Sequence, residues 1–183
     1  MVNVSIIGLK AAPAEAARIP LLTTVEVSTT AIFSAMTAVL TATTGQFMPS
    51  PTGGYTHIGD TAIFLAALLF GSKVGAFTGA IGSVVADLYV GYPRWFVSIP
   101  AHALEGAVAG LGRKRSTAWQ VAVCGVGGIL MATTYFYMNV FIKGFPIAII
   151  SYARDLFGQA GVSMILGVAL AKTLRRMLPQ LEE

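Results

Sequence analysis

Two short spacings carry most of the chemistry this chain offers. His102 and Glu105 are three residues apart inside an apolar run, which on a helix puts them on one face. There they can close the floor of a pocket, or simply hydrogen-bond to each other and tether helices. His57 and Asp60 repeat the spacing at the start of another apolar run, where Asp60 or Thr56 is also placed to cap free backbone amides. Asp87, Arg154 and Asp155 complete the ionisable groups in or beside apolar segments. Each costs a few kcal/mol in hydrocarbon if left unpaired, so they should face a cavity, the bundle interior or one another. Arg154 can neutralise Asp155 or Asp87, or meet an anionic group on a ligand. The aromatics Tyr55, Tyr92, Trp95, Tyr135, Tyr137 and Tyr152 can stack on a flat ligand or form an interfacial belt.

These groups do not add up to an enzyme. The chain has no HExxH, GxSxG or Walker A pattern and no nucleophile beside a recognisable base. Two histidines and scattered acids lack a spacing that specifies a metal site. Cys124 is the single cysteine, which excludes an internal disulfide and any multi-cysteine metal site and reads as a small buried residue. No cofactor is expected. Nothing in the chain can hydrolyse ATP, so active transport would need a partner or an ion gradient.

The elements that position these residues follow from composition. With 55% hydrophobic and 11% charged residues and a mean hydropathy of +0.74, the chain is too apolar for a water-exposed surface. A crossing helix needs about 20 apolar residues, so the 183 residues allow at most about six or seven spans. The net charge of +4 and pI near 9.4 come from basic residues between or after apolar runs, with no continuous stripe for nucleic acid.

The reading is an all-α integral membrane protein: a single membrane domain over 1–183, built as a six-transmembrane-helix bundle with both termini cytoplasmic. Spans are expected at about 24–44, 58–70, 74–90, 96–111, 118–140 and 147–170. Residues 1–22 form a cytoplasmic lead-in, helical in part, with no cleavable signal; residues 171–183 form a basic cytoplasmic tail. Pro49, Pro51 and Gly53-Gly54 make 45–57 a loop. Ala31, Ala35, Ala38 and Ala42 share one face of the first span, and Gly71, Gly75, Gly79 and Gly82 line the third, both close-contact faces. The alanine face serves either a helix of this chain or a separate protein. Lys143-Gly144-Phe145-Pro146 turns the chain. Of 12 Lys and Arg, nine fall on the inner side in this arrangement and three (Arg94, Lys143, Arg154) on the outer.

The chain resembles the integral-membrane S components of energy-coupling factor (ECF) vitamin transporters, in particular the riboflavin-type group. The resemblance rests on Ala31-xxx-Ala35, a loop ending in Gly59-Asp60, the segment LLFGSKVGAFTGAIGSVVADL through Asp87, and EGAVAG beginning at Glu105. It implies high-affinity capture of a water-soluble vitamin or precursor at the outer face of the cell membrane. It also implies docking, through Ala31 and Ala35, onto a transmembrane coupling protein with two cytoplasmic ATPases, and transport by toppling within the lipid bilayer. Carried onto this sequence, the substrate-binding candidates are Tyr55, His57, Asp60, Asp87, Trp95, His102, Glu105, Asn139, Tyr152, Arg154 and Gln159. Riboflavin would suit stacking aromatics, while a pyrimidine thiamine precursor or pyridoxine would need a smaller pocket. The rival reading is a self-sufficient proton-coupled carrier using Asp87, His102 and Glu105 as a relay.

Overall fold

The computed structural model describes residues 21–50 and 53–178. The lead-in over 1–20, Pro51 and the last residues of the tail, 179–183, lie outside it. Among the described residues the chain is helical, without a strand, and one isolated bridge joins Pro49 to Tyr55. The helices are α1 (Thr24–Phe47), α2 (Asp60–Phe70), α3 (Ser72–Val90), α4 (Trp95–Ala109), α5 (Thr117–Lys143), α6 (Phe145–Ala153) and α7 (Val162–Met177). A 3-10 turn, Gly110–Gly112, follows α4, and a π-helical segment, Arg154–Gly161, joins α6 to α7. The last three form one helical stretch of 33 residues, Phe145–Met177.

Among the described residues, four rods are long and apolar enough to cross a membrane: α1, α3, α5 and Phe145–Met177. At a rise of about 1.5 Å per residue, α2 with 11 residues and α4 with 15 reach about 16 and 22 Å. Both fall short of a hydrocarbon core of about 30 Å. The helix ends differ from the sequence expectation where short-range signals are weak. α1 continues to Phe47, with the Thr43 and Thr44 hydroxyls satisfied on carbonyls one turn back, at Val39 and Leu40. The turn expected over four residues is Gly144 alone, whose φ of 81° lets α5 stop and Phe145-Pro146 start α6 at once.

Exposure runs opposite to that of a water-soluble bundle. The buried side of α1 is Thr30, Ser34, Thr37, Ala38, Thr41 and Ala42, while Val25, Val27, Ile32, Met36 and Val39 are exposed. Thr37 meets its own hydrogen-bonding need on the Phe33 carbonyl, 2.9 Å away, whereas the Thr30 and Ser34 hydroxyls on the same face are buried without a partner. This is how helices pack when the solvent is lipid: small residues inside, aliphatic ones out. Length, composition and exposure together are those of a multi-pass membrane protein.

Inside the ring lies α2, buried at every residue from Asp60 to Leu69. Its apolar half packs with Ala109, Cys124, Val168 and Ala171 in the main hydrophobic cluster; Cys124 is a free, buried thiol. At its far end, Arg175 donates to the Leu68 carbonyl (2.6 Å) and Arg113 to the Phe70 carbonyl (3.2 Å), placing cations on the carbonyls a helix leaves open. Lys73, Arg113, Lys114 and Arg115 follow the C-terminal ends of α2 and α4, so this end of the bundle is the cationic one.

Backbones approach most closely around α4. A Cβ on Gly75 would strike the Gly106 carbonyl, one on Gly79 the His102 carbonyl, and one on Gly127 of α5 the Glu105 carbonyl. The glycines expected to form a contact face on α3 therefore set the depth at which the α4 side chains meet their neighbours. The alanine stripe of α1 divides: Ala38 and Ala42 are buried, whereas Ala31 and Ala35 are exposed beside Phe77, Ile81 and Val85 of α3 in an apolar groove of about 460 Å³.

Candidate functional site

Opposite the cationic end, the 48–59 loop, the 91–94 turn, the last turns of α5 and the π-helical segment surround a polar recess. Its walls are Gly53, Gly54, Tyr55, His57, Asp87, Tyr92, Tyr135, Asn139, Lys143, Arg154, Asp155 and Gln159. Six of the substrate-binding candidates stand here: Tyr55, His57, Asp87, Asn139, Arg154 and Gln159. Asp60, His102 and Glu105 lie directly beneath. Trp95 and Tyr152 stand apart from the lining: Trp95 is exposed with its ring 6.1 Å from Phe96, and Tyr152 packs on Phe136 at 5.6 Å.

The loop wall is held from several sides. Tyr55 donates its hydroxyl to Asp87, and its ring lies against Gly45 of α1, where any side chain would collide with it. Lys143, at the end of α5, donates to the Gly53 carbonyl at 2.9 Å. His57 accepts the Gly59 amide at Nδ1 (3.2 Å) and has Thr41 Oγ1 3.5 Å from the same nitrogen. Burial pushes the His57 imidazole down to about 4, against the attraction of Asp60 and with some help from His102 and Arg154. The capping expected of Asp60 or Thr56 is not made: α2 has Gly59 as its N-cap, with no side-chain cap, and His57 takes the Gly59 amide instead.

Below the recess, a chain of polar contacts descends the bundle. Asp87 accepts from Tyr55 and Ser98; Ser98 Oγ is 2.5 Å from the Tyr135 hydroxyl; Tyr135 is 3.5 Å from His102 Nε2; and His102 Nδ1 is 2.8 Å from Glu105. Gln159, in the π-helical segment, donates to Asp60 at 2.9 Å across 99 residues of sequence. Asp60 Oδ1 and Glu105 Oε1 are buried without a hydrogen-bond partner, so the base of the site is rich in acceptors. Arg154 pairs with Asp155, one of the partners left open by the sequence.

His57, Asp60 and His102 bring potential ligand atoms within 4.8 Å of one another, the one such group found among the described residues. Sequence spacing could not join them, because the third member comes from another helix. Their hydrogen bonds work against a resident ion: the His57 Nδ1 lone pair already accepts the Gly59 amide, and His102 Nδ1 is engaged by Glu105. The arrangement suits recognition of a small polar molecule. Ser98 and Lys143 are residues that sequence reasoning did not place at the site; Lys143 was legible only as part of a turn. Ser98 lies four residues before His102 on the same face of α4, a spacing that could have drawn attention to it.

Comparison with known proteins gives three findings. The family described as ECF-type riboflavin transporter, S component, matches residues 21–176. An uncharacterized protein in the gap 3' region of Pyrococcus woesei is 33% identical over 128 residues, 68% of this chain and 85% of that one. The thiamine precursor transporter HmpT of Lactococcus lactis subsp. cremoris (strain MG1363) is 27% identical over 149 residues, covering 81% of this chain and 84% of that protein.

Proposed function

The chain belongs to the ECF-type riboflavin transporter S component family, and from that premise we propose that it is the high-affinity substrate-binding subunit of an ECF-type importer for a water-soluble vitamin or vitamin precursor. The observation that carries the reading is the polar, aromatic-walled recess at the end of an apolar bundle opposite the cationic end. The protein resides in the cell membrane as a single domain of six crossings, with α2 and α4 as short ones and both termini cytoplasmic. The cationic end then faces inward, in keeping with the retention of Lys and Arg on the cytoplasmic side, and the recess opens outward. Tyr55, His57, Asp87, Asn139, Arg154 and Gln159 contact the substrate, with Asp60, His102 and Glu105 as the supporting floor. Energy comes from two separate ATPases through a transmembrane coupling protein that seats on Ala31 and Ala35.

The polar chain from Asp87 to Glu105 favours one alternative, a proton-coupled carrier. Its physical weakness is that, among the described residues, the hydrogen-bonded chain ends at Glu105, and Ala109, Cys124, Phe64 and Leu68 pack in an apolar cluster. Uptake that persists without coupling protein and ATPases, yet collapses with the proton gradient, would decide for the carrier.

The first experiment is mass spectrometry of small molecules released by heat or acid from the detergent-purified chain. A stoichiometric vitamin-like mass is the expected result. An empty protein that also binds nothing in a vitamin panel would sink the proposal.

A further inference from the structure

We propose that the groove at the cationic end of the bundle, lined by Leu111, Lys114, Arg115, Ser116 and Trp119, holds the headgroup and upper acyl chain of an anionic phospholipid. The inference goes beyond substrate capture and rests on the reading that this end of the molecule faces the cytoplasmic leaflet.

The first argument is composition. The groove is open and large, about 770 Å³, and its lining joins two exposed cations, Lys114 and Arg115, to two exposed apolar side chains, Leu111 and Trp119. No acid lines it. Among the described residues the acids lie elsewhere: Asp60, Asp87, Glu105 and Asp155 are buried at or beneath the recess, and Glu26 caps α1 together with Thr23. A surface so made fits a molecule that carries an anion and hydrocarbon together. Inorganic phosphate would leave Leu111 and Trp119 uncovered, and a neutral acyl chain would gain nothing from Lys114 and Arg115. Other cations of this end have structural work, since Lys73 donates to the Leu21 carbonyl, Arg113 to Phe70 and Arg175 to Leu68.

The second argument is that the turn carrying the two cations is fixed from inside. Gln120, buried on α5, donates through Nε2 to the Gly112 carbonyl at 3.3 Å and to the Arg115 carbonyl at 3.0 Å. The Arg115 amide donates to the Gly112 carbonyl at 3.1 Å, and a Cβ on Gly112 would strike Leu68 and Val123. A turn already ordered in this way has less freedom to lose when a ligand binds. Lys114 has a φ of 56°, and among the described residues it is the one non-glycine with a positive φ. A side chain at such a φ costs backbone energy that glycine would not. A cation therefore stands where the backbone alone favours glycine. Trp119 donates its indole N–H to the Leu111 carbonyl at 3.3 Å. With that polar atom satisfied within the protein, the exposed ring offers apolar surface to a lipid chain.

The test uses the full chain carrying Trp95→Phe, which leaves Trp119 as the single tryptophan, reconstituted in phosphatidylcholine vesicles. Bromine on an acyl chain quenches a nearby indole, so quenching by brominated phosphatidylglycerol is compared with quenching by brominated phosphatidylcholine at equal fractions. The expected result is stronger quenching by the anionic lipid. A Lys or Arg beside an anionic headgroup is worth about five-fold in association, so Lys114→Gly and Arg115→Gln should each lower the preference by about that factor and together abolish it. Lys114→Gly should do so with no fall in melting midpoint, because glycine suits that φ; this separates a lost contact from a lost fold. Equal quenching by the two lipids overturns the inference. A preference that survives the double substitution overturns it too, as does one removed by inorganic phosphate at matched ionic strength, which would make the groove a free-anion site. Substitutions that abolish coupled uptake while leaving the lipid preference intact would assign the groove to the coupling protein instead. Each of these failures leaves vitamin capture at the recess standing, since none of them reads ligand retention.

Discussion

His57 holds its ring in a place where a charge is unwelcome: it is buried and already accepts a backbone amide at Nδ1. With its folded value near 4 and an ordinary value of 6.5, the unfolded chain binds more protons than the folded one between those limits. The His57 contribution to stability is therefore complete above about pH 6.5 and is lost as pH falls toward 4. Asp60, His102 and Arg154 face the same ring and set the rest of the local field. The expected outcome is a melting midpoint in detergent that drops between pH 7 and pH 5, with a shallower drop in His57→Gln; equal slopes would remove His57 as the cause. The sequence made some of this visible. An acid or histidine in an apolar run must find a partner, and the His102–Glu105 pair was legible from spacing alone. The partner of Asp60 was not, because Gln159 is 99 residues away and short-range periodicity says nothing about which helices touch. Trp95 and Tyr152 stand outside the recess lining; an aromatic near a helix end is drawn equally to a ligand and to an interface, so sequence position does not choose between the two.

At the scale of the helix, glycine does the positioning. Gly79 lets α3 settle against the His102 carbonyl, and Gly75 and Gly106 repeat the contact one turn further on. Gly79→Leu forces these backbones apart. Overpacking of this kind destabilises by about 1–3 kcal/mol, and the shift of His102 should also lower ligand retention. Gly125→Leu on α5, where an added Cβ meets only Met164 Sδ at 3.9 Å, is the control and should leave both melting midpoint and retention nearly unchanged. Matching losses in the two variants would show that bulk, not the α3–α4 contact, is responsible. The existence of these helices could be read from apolar runs broken by glycine and proline, since a bilayer demands minimum lengths. The π-helical segment could not. Its wider turn carries Asp155 and Gln159 to the recess, yet no residue type marks where an α-helix will widen.

At the scale of the molecule, two surfaces have separate tasks in the proposed function: the recess at one end, and the groove between α1 and α3 on the side. Ala31 and Ala35 are exposed in that groove while Ala38 and Ala42 are buried, a division that spacing could not reveal because all four share one helical face. Ala31→Trp or Ala35→Trp is expected to abolish uptake in cells carrying the coupling protein and ATPases, with ligand retention by the purified protein unchanged. Lost retention would mean that the groove closes against this chain itself. The enclosure of α2 also bears on how the molecule is made. Eleven residues with Asp60 at their head, buried from Asp60 to Leu69, are too short to be held by lipid as an independent crossing. During synthesis such a segment has no stable resting place until its neighbours arrive. It enters most readily as a hairpin with α3, and its far side stays uncovered until α7, which follows the other described helices in the chain, closes over it. A chain stopped before α7 would leave the central helix without a wall.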